Sequence, residues 1–285
     1  MKTLLLIRPP LLITPKHHVM KSLLMQVCHL LPACLALCVL NSCYVTGVAD
    51  PYIVPESRQK ENQYYAPSSP NAPLLQHQYD LTGGMHYSSG SNYACIEMQS
   101  AYRPGKHTGI TGSYSTGDVK SNNNFTFTRY ELGAVYITGI NSNFQFETYG
   151  GFGGGETTNR HYTGRSQIKN NYFFLQPAIS VTNNRNTVQF AIISKFSGNH
   201  FNVTDTGFNH DREPFSASQI ALLQDQSFHI FWEPGFIFRF GGQHVFFHIG
   251  YSISKDLTRN DLFRAKDNFS AGVSLQFNAL QHKNK

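Results

Sequence analysis

From residue 79 onward, apolar and polar residues alternate with a period of two, the spacing of strands that bury one face. Ten segments carry the pattern: 79–88, 91–102, 107–116, 126–138, 143–153, 171–182, 187–198, 227–240, 244–253 and 267–277. In 227–240, Phe228, Ile230, Trp232, Pro234, Phe236, Phe238 and Phe240 share one face, with His229, Phe231, Glu233, Gly235, Ile237 and Arg239 on the other. The pattern predicts an all-β fold over 78–280, an antiparallel up-and-down β-barrel of about ten strands with eight as the alternative count.

Tight turns are expected at 103–106, 139–141, 183–186 and 241–242, and long loops at 117–125, 154–170, 199–226 and 254–266. Only the connection at Ser89-Gly90 departs from this alternation of short and long. An even number of strands brings both ends of the domain to the short-turn side. A two-residue turn at Gly241-Gly242 predicts Phe238 opposite Val245, Phe236 opposite Phe247 and Trp232 opposite Tyr251. A turn at Asn183-Asn184-Arg185 likewise predicts Val181 opposite Val188 and Ile179 opposite Phe190. Pro177 and Pro234 cannot donate to a ladder and predict bulges.

The two faces differ in chemistry. One is nearly all apolar; the other carries Glu97, Glu131, Glu147, Lys195, Glu233 and Arg239 among many glycines. A charge-free face that meets lipid puts these six inside the barrel, where the carboxylates are expected to pair with Lys195 and Arg239 and fill a narrow lumen. The opposite orientation makes a soluble tethered barrel that binds a small apolar ligand beside Phe236 and Phe247.

Composition narrows the class. The chain has 285 residues, 13% aromatic and 14% charged. A mean hydropathy of −0.31 excludes a bundle of membrane helices but not a membrane barrel, in which the two faces average out. The formal charge of +6 is scattered, so no nucleic-acid partner is expected. Of five cysteines, Cys28, Cys34 and Cys38 fall in an apolar amino-terminal stretch, Cys43 ends it, and only Cys95 lies in the body.

That stretch has the layout of a secretory signal: Lys21, an apolar run from Leu23 to Leu40, then Ser42 before Cys43. Residues 1–42 read as the signal segment, with Met20 as its start. Residues 44–77 hold Pro51, Pro55, Pro67, Pro70 and Pro73 among polar residues and lack periodicity, so 43–77 reads as a flexible tether. No metal site is expected, because His244 and His248 stand roughly 13 Å apart on a strand. No nucleophile–base set or cofactor motif is present, and an enzyme is not expected. Ser216 with Gln219 is positioned to cap a short helix, and loop 199–226 is the expected place for a protein partner.

Leu40-Asn41-Ser42-Cys43 resembles the lipobox of bacterial lipoproteins, which implies diacylation of Cys43 and cleavage before it. Met98-Gln99-Ser100-Ala101-Tyr102-Arg103-Pro104-Gly105-Lys106-His107 and the Trp232-Glu233-Pro234-Gly235 segment with Arg239 and Gly241 resemble motifs of uncharacterised outer-membrane β-barrel lipoproteins. The resemblance covers about residues 70–280. It implies an outer-membrane location, contact with the bilayer through the Cys43 acyl chains and the apolar strand faces, and a structural or interaction role.

Overall fold

The computed structural model of the chain describes residues 64–90, 93–118, 124–139, 143–161, 164–207, 214–242, 244–258 and 266–278. The signal segment 1–42 and Cys43 lie outside the described residues. Ten strands follow one another: β1 Asp80–Gly90, β2 Tyr93–Tyr102, β3 Thr108–Asp118, β4 Asn124–Gly139, β5 Phe144–His161, β6 Gly164–Thr182, β7 Val188–Thr206, β8 Phe228–Gly241, β9 Val245–Ile253 and, after a two-residue β10 at Lys255–Asp256, β11 Asp267–Asn278. Each pairs antiparallel with its neighbours, and β1 pairs with β11 to close an up-and-down barrel. β10 extends the pairing of β9 to β8, because Lys255 faces Trp232 in the register in which Ser252 faces Gly235. Among the described residues one helix, α1 (Pro214–Asp225), lies between β7 and β8. No helix among the described residues is long and apolar enough to cross a membrane, which says nothing of strands.

The barrel is inverted relative to a soluble protein. Every barrel strand turns large apolar side chains outward, among them Met85, Met98, Ile110, Leu132, Phe152, Phe173, Ile192, Phe240, Phe247 and Leu275. Phe173 and Phe152 are 63% and 60% exposed, while Glu147 and Glu97 are 0% and 1% exposed. The alternative of an apolar ligand chamber around Phe236 and Phe247 is thereby overturned: Phe247 is 51% exposed on the outer wall.

Four local expectations are corrected. The β8–β9 hairpin closes where Gly242 N donates to Val245 O at 2.9 Å, two residues beyond the expected turn. Phe238 therefore faces Ile249 and Phe236 faces Tyr251. In the β6–β7 turn, Asn183 Oδ1 accepts from the backbone N–H groups of Thr187 and Val188, and Asn186 takes a left-handed φ of 54°. Val181 then faces Phe190 and Ile179 faces Ile192. Both slips are even, so every side chain keeps its face.

The prolines need no bulge. Pairing of β6 to β7 lapses at Gln176 and Pro177 and resumes at Ala178 in unchanged register, and Pro234 stands opposite Ser194 without a shift. The bulge lies elsewhere, between Gln167 and Ile168.

The long loop expected at 154–170 is mostly strand. β5 and β6 stay paired from Phe144↔Val181 to His161↔Gly164, with Glu156 opposite Lys169. β7 runs on to Thr206, and Arg165 of β6 forms an exposed ion pair with Asp205 at 2.7 Å. One end of the barrel thus consists of short turns together with Asp80, which opens β1, and Asn278, which closes β11. The other, the hairpin end, carries the polar extensions of β5, β6 and β7, followed by α1.

Candidate functional site

The lumen is the only place where the chain gathers buried charge among the described residues, and it is occupied. Tyr64 to Leu75, read from sequence as part of a tether, lie inside the barrel almost wholly buried. The physical reason begins with Pro67, Pro70 and Pro73. Proline holds an extended backbone and has no N–H to offer a ladder, so the segment's outstanding polar groups are mainly carbonyl oxygens. The inner wall supplies side-chain donors for them.

Arg129 Nη1 donates to Ala66 O at 2.5 Å. Tyr93 Oη and Asn268 Nδ2 donate to Pro67 O at 3.3 and 3.2 Å. Gln176 Nε2 donates to Asn71 O at 2.6 Å, and Arg239 Nη1 to Pro73 O at 2.5 Å. Leu75 O receives Arg103 Nη1 at 2.8 Å and Gln145 Nε2 at 3.2 Å. Donation also runs outward, from Tyr65 Oη to Glu233 at 2.9 Å and from Ser69 N to Glu97 at 3.1 Å.

Apolar contacts punctuate this polar sleeve. Tyr64 and Tyr65 join Ile168, Phe201, Phe231 and two residues of α1, Ile220 and Leu223; the Tyr65 ring stacks on Phe231 at 4.2 Å. Ala66 packs with Tyr93, Cys95, Phe125 and Phe127. Ala72, Leu74 and Leu75 pack with Val135, Ile137, Ile193 and Ile237 among others. The segment then bends into β1 through left-handed residues Leu74 and Tyr79, with φ of 53° and 68°. The bend is held by Asp80, whose Oδ2 accepts from Gln76 N and His77 N at 2.9 and 2.8 Å. A barrel of about eight strands is filled by its own side chains, and width grows with strand number. Ten strands give room for one extended chain as well.

All six charged residues singled out from sequence are buried on the inner wall. Their partners differ from the expected pairing. Lys195 forms an ion pair with Glu131, donates to Ser68 Oγ at 2.8 Å and sits 4.9 Å from the centre of the Phe174 ring. Glu131 also accepts from Tyr172 Oη at 3.0 Å. Glu97, Glu147 and Glu233 are held by neutral donors: Gln99 and Ser69 N, Gln145 and Tyr149, and Tyr65 respectively. Arg239 meets Pro73 O, Ser274 Oγ at 3.0 Å and the face of Phe246. Glycine makes the space: a Cβ at Gly153 would stand 2.4 Å from the Tyr172 ring that reaches Glu131.

Arg129, Arg103 and Tyr65 were missed. Arg129 lies two residues before Glu131, hence on the same face, which was a legible signal. Arg103 stands in a turn and Tyr65 in the supposed tether, where strand parity says nothing. The His248 ring lies tilted against that of His86 with centroids 3.8 Å apart, while His244 is exposed. Among the described residues no three His, Cys, Asp or Glu side chains are placed to share a metal ion. Of loop 199–226, residues up to Thr206 belong to β7, and α1 turns Ile220 and Leu223 onto the tyrosines at the lumen mouth.

Fold and lumen together define a class: a closed ten-stranded barrel, apolar outside and polar inside, with its own amino-terminal segment in the lumen. No protein-family profile matches the chain, and no curated protein does. Solved structures similar to it include the amino-terminal β-barrel domain of Pseudomonas aeruginosa OprF, at 9% identity and a TM-score of 0.36 over 70% of this chain and 98% of that one. The translocator domain of the autotransporter NalP from Neisseria meningitidis matches at 8% identity and a TM-score of 0.41, over 70% of this chain and 86% of that one. Ail, the attachment invasion locus protein of Yersinia pestis, matches at 9% and 0.32, over 70% and 95%.

Proposed function

We propose that the chain is an integral barrel of the bacterial outer membrane, closed by its own lumenal segment, further anchored by acyl chains on Cys43, and structural or interactive rather than catalytic in role. The observation that carries the reading is the inverted polarity of the wall. On β8 the outward row from Phe228 to Phe240 covers roughly 30 Å along the barrel axis at ordinary strand tilt, enough for the ~25 Å apolar band of a membrane barrel. The occupied lumen supports a role without solute passage, and the polar extensions of β5–β7 with α1 offer a projecting surface to a protein partner.

The test replaces the segment through Cys43 with an ordinary secretory signal and washes the membranes with carbonate or urea. Retention in the outer membrane, with a heat-dependent mobility shift on a gel, is the expected result. Release by the wash would mean that the acyl chains are the sole anchor and that the barrel is not embedded.

A further inference from the structure

We infer that the chain is threaded through its own barrel, so that Tyr64 stands at the hairpin end and Asn278 at the opposite end, on the other side of the membrane. The inference rests on the membrane reading above but adds a topology that the reading does not contain.

The contacts of the lumenal segment descend in order. Tyr64 and Tyr65 sit beside Phe231 at the start of β8, Phe201 near the far end of β7, and α1, all at the hairpin end. Ala66 and Pro67 reach Arg129, Tyr93 and Asn268, still in the half of β4, β2 and β11 nearer that end. Ser69 touches Ser88 and Glu97. Asn71 is held at mid-barrel by Gln176. Pro73 meets Arg239, two residues from the end of β8, and Leu75 meets Gln145 and Arg103 at the turn end. Tyr79 N then bonds Arg103 O at 2.6 Å, and Asp80 opens β1 opposite Asn278. No step reverses. The segment therefore runs the height of the barrel once, entering at the end opposite β1.

Short turns of outer-membrane barrels face the periplasm and the longer projections face outside. The hairpin end, with its polar strand extensions, is then the cell surface, and Asp80 and Asn278 are on the periplasmic side. Both ends of the barrel domain, Asp80 and Asn278, stay together on the short-turn side, as expected.

The test uses the full chain in a Cys95→Ala background with one added cysteine at a time: Glu61→Cys, Arg160→Cys at the tip of β5, or Asn284→Cys. Intact cells are treated with a membrane-impermeant maleimide before and after permeabilisation. Positions 61 and 160 are expected to label together on intact cells, and 284 only afterwards. Labelling of 61 together with 284, and opposite to 160, would overturn the threading while leaving the membrane reading standing. Equal labelling of all three in intact cells would overturn the membrane reading and the inference with it. A second variant, Ser69→Cys with Ser88→Cys, reads the threading without cells. The two hydroxyls touch, so mild oxidation of the folded protein is expected to join them, and failure to do so would place the segment elsewhere.

Discussion

Lys195 is the residue on which the lumen's charge balance turns, because it forms the one buried Lys or Arg ion pair among the described residues. Removing one partner of a buried pair leaves the other uncompensated and costs about 3–5 kcal/mol. Lys195→Met is therefore expected to lower the stability of the folded barrel by that amount, read from the denaturant midpoint of the heat-modifiable band. Lys195→Met with Glu131→Gln removes both charges and should recover most of the loss. A single variant as stable as the parent would show that the pair contributes nothing. Strand parity assigned both residues to one face but was silent on their pairing. Parity gives the side of the wall; height and neighbour depend on turn registers, which slipped by two or four residues at Asn183 and Gly242.

At the scale of elements, the strands were legible where apolar residues alternated and were cut short where they stopped. Beyond Phe152 and before Phe173 the period of two continues with polar residues such as Glu156, Arg165, Gln167 and Lys169, which read as a loop although the ladder persists. The lumenal segment was illegible for a different reason: its hydrogen-bond partners lie on eight different strands, and nothing local announces them. Its one clue was the placement of apolar pairs, Tyr64-Tyr65 and Leu74-Leu75, at the two ends of a proline run, which a solvated tether does not require. The segment fills the space that ten strands leave. Deleting residues 64–73 is expected to turn a silent barrel into one that conducts ions in planar bilayers. Arg129 and Arg239 would lose their carbonyl acceptors, at about 1–3 kcal/mol for each buried donor that finds no water. A deletion variant that folds and stays silent would mean that the wall side chains close the lumen alone.

At the scale of the whole molecule, the question is what covers the outer wall. Soluble monomers seldom expose a contiguous apolar patch beyond a few hundred Å², yet here the apolar belt passes around all ten barrel strands. Trp232, the chain's single tryptophan, reports on that belt directly. It lies in the outward row of β8, where its Nε1 donates to Ser194 Oγ at 2.8 Å and its ring stacks with the exposed Phe196 at 6.4 Å. With its one polar atom satisfied by the wall, the indole has only apolar surface to present to its surroundings. In vesicles whose lipids carry brominated acyl chains, Trp232 emission is expected to be strongly quenched, and aqueous iodide should have little effect. The reverse, quenching by iodide with brominated lipid inert, would mean that the belt meets water. Since no second tryptophan dilutes the signal, either outcome concerns this face alone, and the polarity of the whole barrel follows from it.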